Sequence, residues 1–360
     1  MGASFGRSFY VLDDYSFLRE LSEEKLKEPA ALYSTRKTWW YNPRYAVTGI
    51  GANDYVAKNP DFGAVFTYHI NEEFTTDQAA RKKKEKDLEK ANKDIPFPGW
   101  DALDAEVDVE KVAMYLVVKD TEGNTIKKIA AKTGKGIHRT AWDLRYPAKG
   151  PIKVDDENSW NRGFMASPGT YTVTLVKQAA GETTTLAGPQ SFEVVPLRKG
   201  TLEGIALAKR EAFRKEMEAM QTQVGATVIT LDNSLDKIKA MGTSLARSSQ
   251  GSSELYQQLR QAKVDLMALK KEMNGSPAKE EIGERNDPTV QSRMWTGFRG
   301  LNSMHGPTQN HIQTIAVAKK QLAGIKAKVA AMSETTVPNL EKALQALGAP
   351  WIEGQALPKN

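Results

Sequence analysis

The spacing of apolar positions divides the chain in two. Between residues 61 and 197 apolar and polar side chains alternate in short runs, the period of half-buried β-strands. Phe62-Gly63-Ala64-Val65-Phe66-Thr67-Tyr68-His69-Ile70 predicts one strand and Val112-Ala113-Met114-Tyr115-Leu116-Val117-Val118 a second. Asp120-Thr121-Glu122-Gly123-Asn124 is a turn, since glycine and asparagine tolerate positive φ, and Ile126 to Ile129 returns as the hairpin partner. His138 to Leu144 is a further strand, Pro168-Gly169 turns into Thr170 to Val176, and Gln190 to Pro196 closes the set. Short strands separated by turn signals predict an antiparallel sandwich over 61–197.

After Pro196 the period changes. Phe213, Met217, Met220, Val224, Thr227, Leu231, Leu235, Ile238, Met241 (or Gly242) and Leu245 follow one another in steps of three and four, a heptad seam. Ser248 to Ser253 breaks it. A second seam runs through Leu255, Leu259, Ala262, Leu266, Leu269 and Met273, and Asn274-Gly275-Ser276-Pro277 stops it. A third passes Ile312, Ile315, Leu322, Ile325, Val329 and Met332 and continues at Leu340, Leu344 and Leu347, with Pro338 kinking or dividing it. Helices with one apolar seam must bury it, so 198–350 predicts an antiparallel bundle, with 351–360 as a tail. The chain is therefore an α+β, multidomain protein. The Trp295 and Phe298 stretch between the second and third seams is expected to cap the bundle core.

Residues 1–60 have weak periodicity but many large aromatics: Tyr33, Trp39, Trp40, Tyr41, Tyr45 and Tyr55. Ser8 to Asp14 predicts a core strand with no partner nearby, and Ser16 to Leu26 a short helix. Aromatics without a periodic element of their own point to a segment lying across another surface, either the following sandwich or a partner. Phe9, Tyr10, Trp39, Trp40, Tyr41 and Tyr45 are the candidate docking residues.

The formal net charge of +6 changes little once it is located. Residues 81–93 hold seven basic and three acidic side chains and account for +4 of it. Such a run is the solvated face of a basic helical insertion near 75–100, ended by the prolines of Ile95-Pro96-Phe97-Pro98-Gly99-Trp100. No aromatics interleave with its lysines as single-strand binders require, so no nucleic-acid partner is expected. No apolar run is long enough to span a bilayer, and the first residues have no apolar core of the signal-peptide kind.

Candidate chemistry is sparse. With 0 cysteines there is no disulfide framework, thiol catalyst or thiolate metal site. The histidines, His69, His138, His305 and His311, form no HExxH or paired ligand spacing, so no metal or other cofactor is expected. There is no GxSxG elbow or Walker loop, and Gly134-Lys135-Gly136 lacks the flanks of a phosphate cradle. Asp13-Asp14 and Asp155-Asp156-Glu157 are adjacent carboxylates that strand alternation turns apart, unlike a glycosidase pair. The second group, beside Trp160, is a candidate loop for calcium or carbohydrate.

A resemblance covers nearly the whole chain. Gly6 to Asp14 is similar to the last propeller strand of bacterial sortilin-like proteins with BNR-type repeats, proteins often given the label glycosyl hydrolase. The similarity continues through Phe62 to Tyr68, Ile95 to Trp100, Val118 to Asn124, Trp142-Asp143-Leu144-Arg145-Tyr146-Pro147, Pro168-Gly169-Thr170-Tyr171-Thr172-Val173 and Gly348-Ala349-Pro350-Trp351. The Trp-Asp and Pro-Gly-Thr-Tyr signatures also resemble the immunoglobulin-like domain of the flagellar hook-capping protein. The resemblance implies a secreted or cell-surface (periplasmic or extracellular) bacterial protein, with an immunoglobulin- or fibronectin-like sandwich followed by the helical domain. It also implies that residues 1–60 pack on a β-propeller supplied by the rest of the protein or a partner chain. Other cell-surface proteins or glycans are further candidate partners. No catalytic residue is carried over, so the chain itself is not expected to be an enzyme. The alternative is an accessory region of a glycoside hydrolase or peptide-processing enzyme whose active site lies in the propeller. A third reading is self-association through the helical seams.

Overall fold

Runs of alternating side chains become sheet where two of them can share one apolar face. The computed structural model describes residues 2–3, 9–10, 13–43, 59–72, 74, 77–107, 112–154, 162–179, 181–201 and 203–357. Strands β1 (Gly2–Ala3) and β2 (Phe9–Tyr10) pair with each other antiparallel. The opening strand expected to lack a partner therefore has a local one. A 3-10 turn, Ser16–Arg19, and helix α1 (Glu23–Lys27) follow, the latter capped by Ser22, whose hydroxyl accepts from the Lys25 amide. Then come β3 (Ala30–Leu32), β4 (Thr38–Trp40), β5 (Ala64–Ile70), α2 (Asp77–Lys90), α3 (Trp100–Val107), β6 (Ala113–Lys119), β7 (Thr125–Ala131), β8 (Gly136–Trp142), β9 (Gly169–Ala179) and β10 (Glu182–Pro196).

These strands form a five-stranded sheet in the order β4-β10-β9-β6-β7 and a three-stranded sheet in the order β3-β5-β8. Every pairing in them is antiparallel except that of β4 on β10, which is parallel. The two sheets face one core. Phe66 and Trp142 come from the three-stranded sheet, Tyr171 and Phe192 from the five-stranded one. Their rings meet edge-on, Phe66 to Phe192 at 5.3 Å and Trp142 to Tyr171 at 5.3 Å between centroids. Residues 30–40 were expected to lie outside the strand-rich region. Instead they supply one strand to each sheet.

The basic run is α2, and its lysines Lys82, Lys83, Lys84 and Lys86 are exposed as expected of a solvated face. Arg81 is the exception. Its guanidinium bonds Glu85 one turn on and makes a two-pronged contact with Glu106 of α3, which holds α2 against α3 and keeps the Glu106 carboxyl below its usual range.

The chain divides into two compact units, residues 1–147 with 165–199 and residues 148–164 with 200–360. The second unit contains α4 (Leu207–Ala246), α5 (Ser253–Asn274), α6 (Pro277–Glu281), α7 (Val290–Leu301), α8 (Gln309–Ala331) and α9 (Val337–Ala346). The α4 seam buries Phe213, Met217, Met220, Val224, Thr227, Leu231, Ser234, Ile238, Met241 and Leu245. Leu235, expected in that seam, is only partly buried, and Ser234 takes the inner position with its hydroxyl donated to the Thr230 carbonyl. Pro338 divides the third pattern by way of a π-helical turn, Met332–Thr336, because proline cannot donate the next ladder hydrogen bond. Helix α7 falls where no helix was expected. Gly297 lies so close to Met217 and Ile315 that a Cβ there would stand 2.6 Å from the Met217 sulfur. The last turn of α7 is closed by Arg210, a buried guanidinium donating to the carbonyls of Leu301 (2.6 Å) and Ser303 (2.9 Å). Burial lowers its pKa, and Glu211 offsets part of that effect.

Two boundaries differ from those read from periodicity. Residues 148–154 and 162–164 belong with the helices: Thr222 donates to the Lys149 carbonyl at 2.5 Å, a Cβ on Gly225 would meet Pro151 Cδ at 2.4 Å, and Phe164 sits against Phe298. At the other end, Ile352 of the expected tail packs on the core formed by α4, α5 and α9.

Gly63 tests the strand-rich unit. Its φ is +109° and an added Cβ would lie 1.8 Å from the Trp142 carbonyl oxygen, whereas Gly123 (φ +83°) has open space around it. Gly63→Ala should lose roughly 4 kcal/mol or fail to fold, and Gly123→Ala only about 1 kcal/mol. Urea unfolding followed by far-ultraviolet circular dichroism measures both.

Candidate interaction surface

Strand β4 is an edge of the five-stranded sheet, and period-two alternation gives its neighbouring side chains opposite fates. Trp40 points inward. It is 5% exposed, and its indole N–H donates to the Ala166 carbonyl at 2.8 Å. Thr38 is buried beside it. Trp39 and Tyr41 lie on the other face, 49% and 37% exposed.

The parallel register with β10 extends that outer face into a patch. Trp39 is level with Val195, and Trp40 with Pro196. The Leu197 amide donates to the Trp40 carbonyl at 3.2 Å, which carries the parallel register one step past Pro196 and puts position 197 level with position 41 along the strands. One step back, Lys37 pairs with Glu193 at 3.5 Å. The outer face thus reads as three cross-strand steps: an exposed ion pair, then Trp39 with half-buried Val195, then Tyr41 with exposed Leu197. Tyr41 is braced from behind by Phe62, edge-on at 5.0 Å. Such a face offers apolar contact area with a charged margin.

Of the docking residues named from sequence, the structure brings together Trp39 and Tyr41 and removes Trp40, because that indole is part of the core. Phe9 and Tyr10 are described only in their backbone pairing, and Tyr45 lies outside the described residues, as do Tyr55, Asp155-Asp156-Glu157 and Trp160. Val195 and Leu197 were missed as surface residues. Their signal was present in the alternation Phe192, Val194 against Val195, Leu197, but only the partner strand shows that the second pair has aromatic company.

The histidines have structural surroundings. His69 is buried, with Nε2 on the Glu28 carbonyl at 3.2 Å and Nδ1 beside the Tyr33 hydroxyl at 3.3 Å. If Nε2 carries the proton, Nδ1 accepts from Tyr33. Burial raises the Tyr33 pKa, and Glu20 and Glu28 add to it, which favours the neutral phenol as donor. His138 lies against Tyr68, with centroids 5.5 Å apart. His311 accepts the Thr308 amide at 3.0 Å in the cap of α8, and the His305 carbonyl accepts from Ile205. Trp295 is half exposed and reaches the core only through Phe298, so it is Phe298 and Phe164 that close the helical core. Among the described residues, no three metal-ligating side chains lie together, and no helix is long and apolar enough to cross a membrane.

Comparison of the chain with protein-family models, with curated proteins and with solved structures gives no match.

The inner and outer tryptophans should separate cleanly. Trp40→Ala removes a buried indole and should cost roughly 3–5 kcal/mol, while Trp39→Ser should stay within about 0.5 kcal/mol of the parent protein. Chemical denaturation of the two variants is the check, and equal losses would contradict the alternation described for β4.

Proposed function

We propose that this chain is a non-catalytic structural and binding part of a secreted or cell-surface β-propeller protein. The propeller is supplied by the rest of the protein or by a partner chain. In this reading the two-sheet unit is an immunoglobulin-like sandwich and the helical unit an antiparallel bundle. Two features support the first assignment. Trp142 is buried between the sheets, and the Tyr171 hydroxyl returns to the Ser167 carbonyl at 2.6 Å, the kind of tyrosine corner that braces such sandwiches.

The observation that carries the binding role is the outward patch of Trp39, Tyr41, Val195 and Leu197. Aromatic and aliphatic side chains held on paired strands, with a charged pair at the margin, have the composition of a protein-docking face. The contact proposed for residues 1–60 narrows accordingly: Trp39 and Tyr41 meet the propeller with their side chains, while residues 30–32 and 38–40 stay in the sheets of their own chain.

A photoreactive amino acid placed at position 39 and activated in the source cells tests this. The expected product is a cross-link to a polypeptide with propeller repeats, or to propeller repeats of the same protein, recovered from the envelope or extracellular fraction. Tyr41→Ser with Leu197→Ser should reduce that product about tenfold. Cross-linking only to proteins without such repeats, or recovery only from the cytoplasmic fraction, would overturn the proposal.

A further inference from the structure

Helix α5 is apolar on two faces, and only one is covered. Its inner face buries Leu255, Leu259, Ala262, Leu266, Leu269 and Met273. On the outer side Tyr256, Val264 and Met267 are 63%, 52% and 54% exposed. At 100° per residue these three fall within about 80° of one another, and the strip they define is centred roughly 140° from the buried seam. With Arg260 and Lys271 they form a second heptad-like line, spaced by four, four, three and four residues.

The charge on this strip has one sign. Arg260, Lys263 and Lys271 flank the apolar positions and are exposed, and none of them makes an ion pair among the described residues. The acidic residues of α5, Glu254, Asp265 and Glu272, fall away from the strip, about 120–140° from its centre. A folded single chain does not need three large apolar side chains on a solvent face, and surface lysines and arginines are ordinarily balanced along a helix by acids one turn away. Two copies of the strip would set Arg260, Lys263 and Lys271 against one another, so the charge argues against self-association here.

We propose that the outer face of α5 is a docking strip for an acidic amphipathic helix of another protein. Tyr256, Val264 and Met267 take the apolar seam of that helix, and Arg260, Lys263 and Lys271 pair with its flanking carboxylates. The strip is about 16 Å long from Tyr256 to Met267, so the partner helix needs at least three turns. Methionine and tyrosine suit such a strip, the first by adapting its shape and the second by offering broad contact area. This site is independent of the β4 patch.

The probe is a synthetic, side-chain-stapled three-heptad peptide with leucine at both seam positions and glutamate in the flanks. Its counterpart carries lysine in place of glutamate. Both are followed by fluorescence anisotropy with the full chain. The glutamate peptide should bind, more weakly as salt rises, and the lysine peptide should not. Tyr256→Ala with Met267→Ala, and separately Arg260→Glu with Lys263→Glu, should each weaken binding about tenfold or more, and the charge-reversed variant should gain affinity for the lysine peptide. All four positions are exposed, so unchanged melting confirms that the variants are folded. Equal binding of the two peptides, indifference to either double variant, or sedimentation showing a dimer that the Tyr256 and Met267 changes dissolve would each overturn the proposal.

Discussion

The strand-rich unit depends on one short stretch of chain that belongs to both of its sheets. β3 pairs with β5 in the three-stranded sheet and, five residues later, β4 pairs with β10 in the five-stranded one. Stacked sheets stand about 10 Å apart, and five extended residues can reach about 17 Å, so this short segment is long enough to cross from one sheet to the other. The stretch is fixed at both ends by bonds that only this arrangement allows. The Tyr33 amide donates to the Thr67 carbonyl, and the Trp40 indole donates to Ala166 from inside the core. Remove the stretch and one sheet loses Ala30 and Leu32 while the other loses Trp40, all of them parts of a single apolar cluster.

The same constraint shapes the proposed binding face. Because Trp40 is held inward, period-two alternation must turn Trp39 and Tyr41 outward, and the register with β10 then decides that Val195 and Leu197 accompany them. The backbone that carries the patch is thus fixed by strand pairing before any partner arrives, which lowers the entropy that binding must cost. The helical unit shows a related economy on α5, where one face satisfies the interior and the other remains available. In both units a regular element carries a structural seam and, at a fixed angle to it, a second set of large side chains.

Long periodic segments were legible from sequence because burial requires a repeating pattern. The strands around Leu116 and Val173 follow their alternation in part and the seams through Met217 and Leu266 follow their heptads closely, while the strand around Phe66 is buried on both faces. What escaped was short or depended on a distant partner. β3 and β4 have three residues each, too few to display a period. Helix α7 is interrupted in composition by Gly297 and Gly300, which read as loop residues. In space those glycines let Met217, Ile315 and His311 approach. Pro151 gives no hint in sequence that it seats on Gly225, seventy-odd residues away. The binding patch was half visible for the same reason: the aromatics stood out, but which of them faced solvent was set by a parallel pairing with residues 194–196.

Native-state hydrogen exchange on the isolated full chain tests whether residues 30–40 are structural members of both sheets. The Tyr33 and Leu197 amides, whose bonds to Thr67 and Trp40 hold the two ends of the crossing, should exchange as slowly as the amides of β9. Exchange of those two amides within seconds, while β9 remains protected, would contradict that membership.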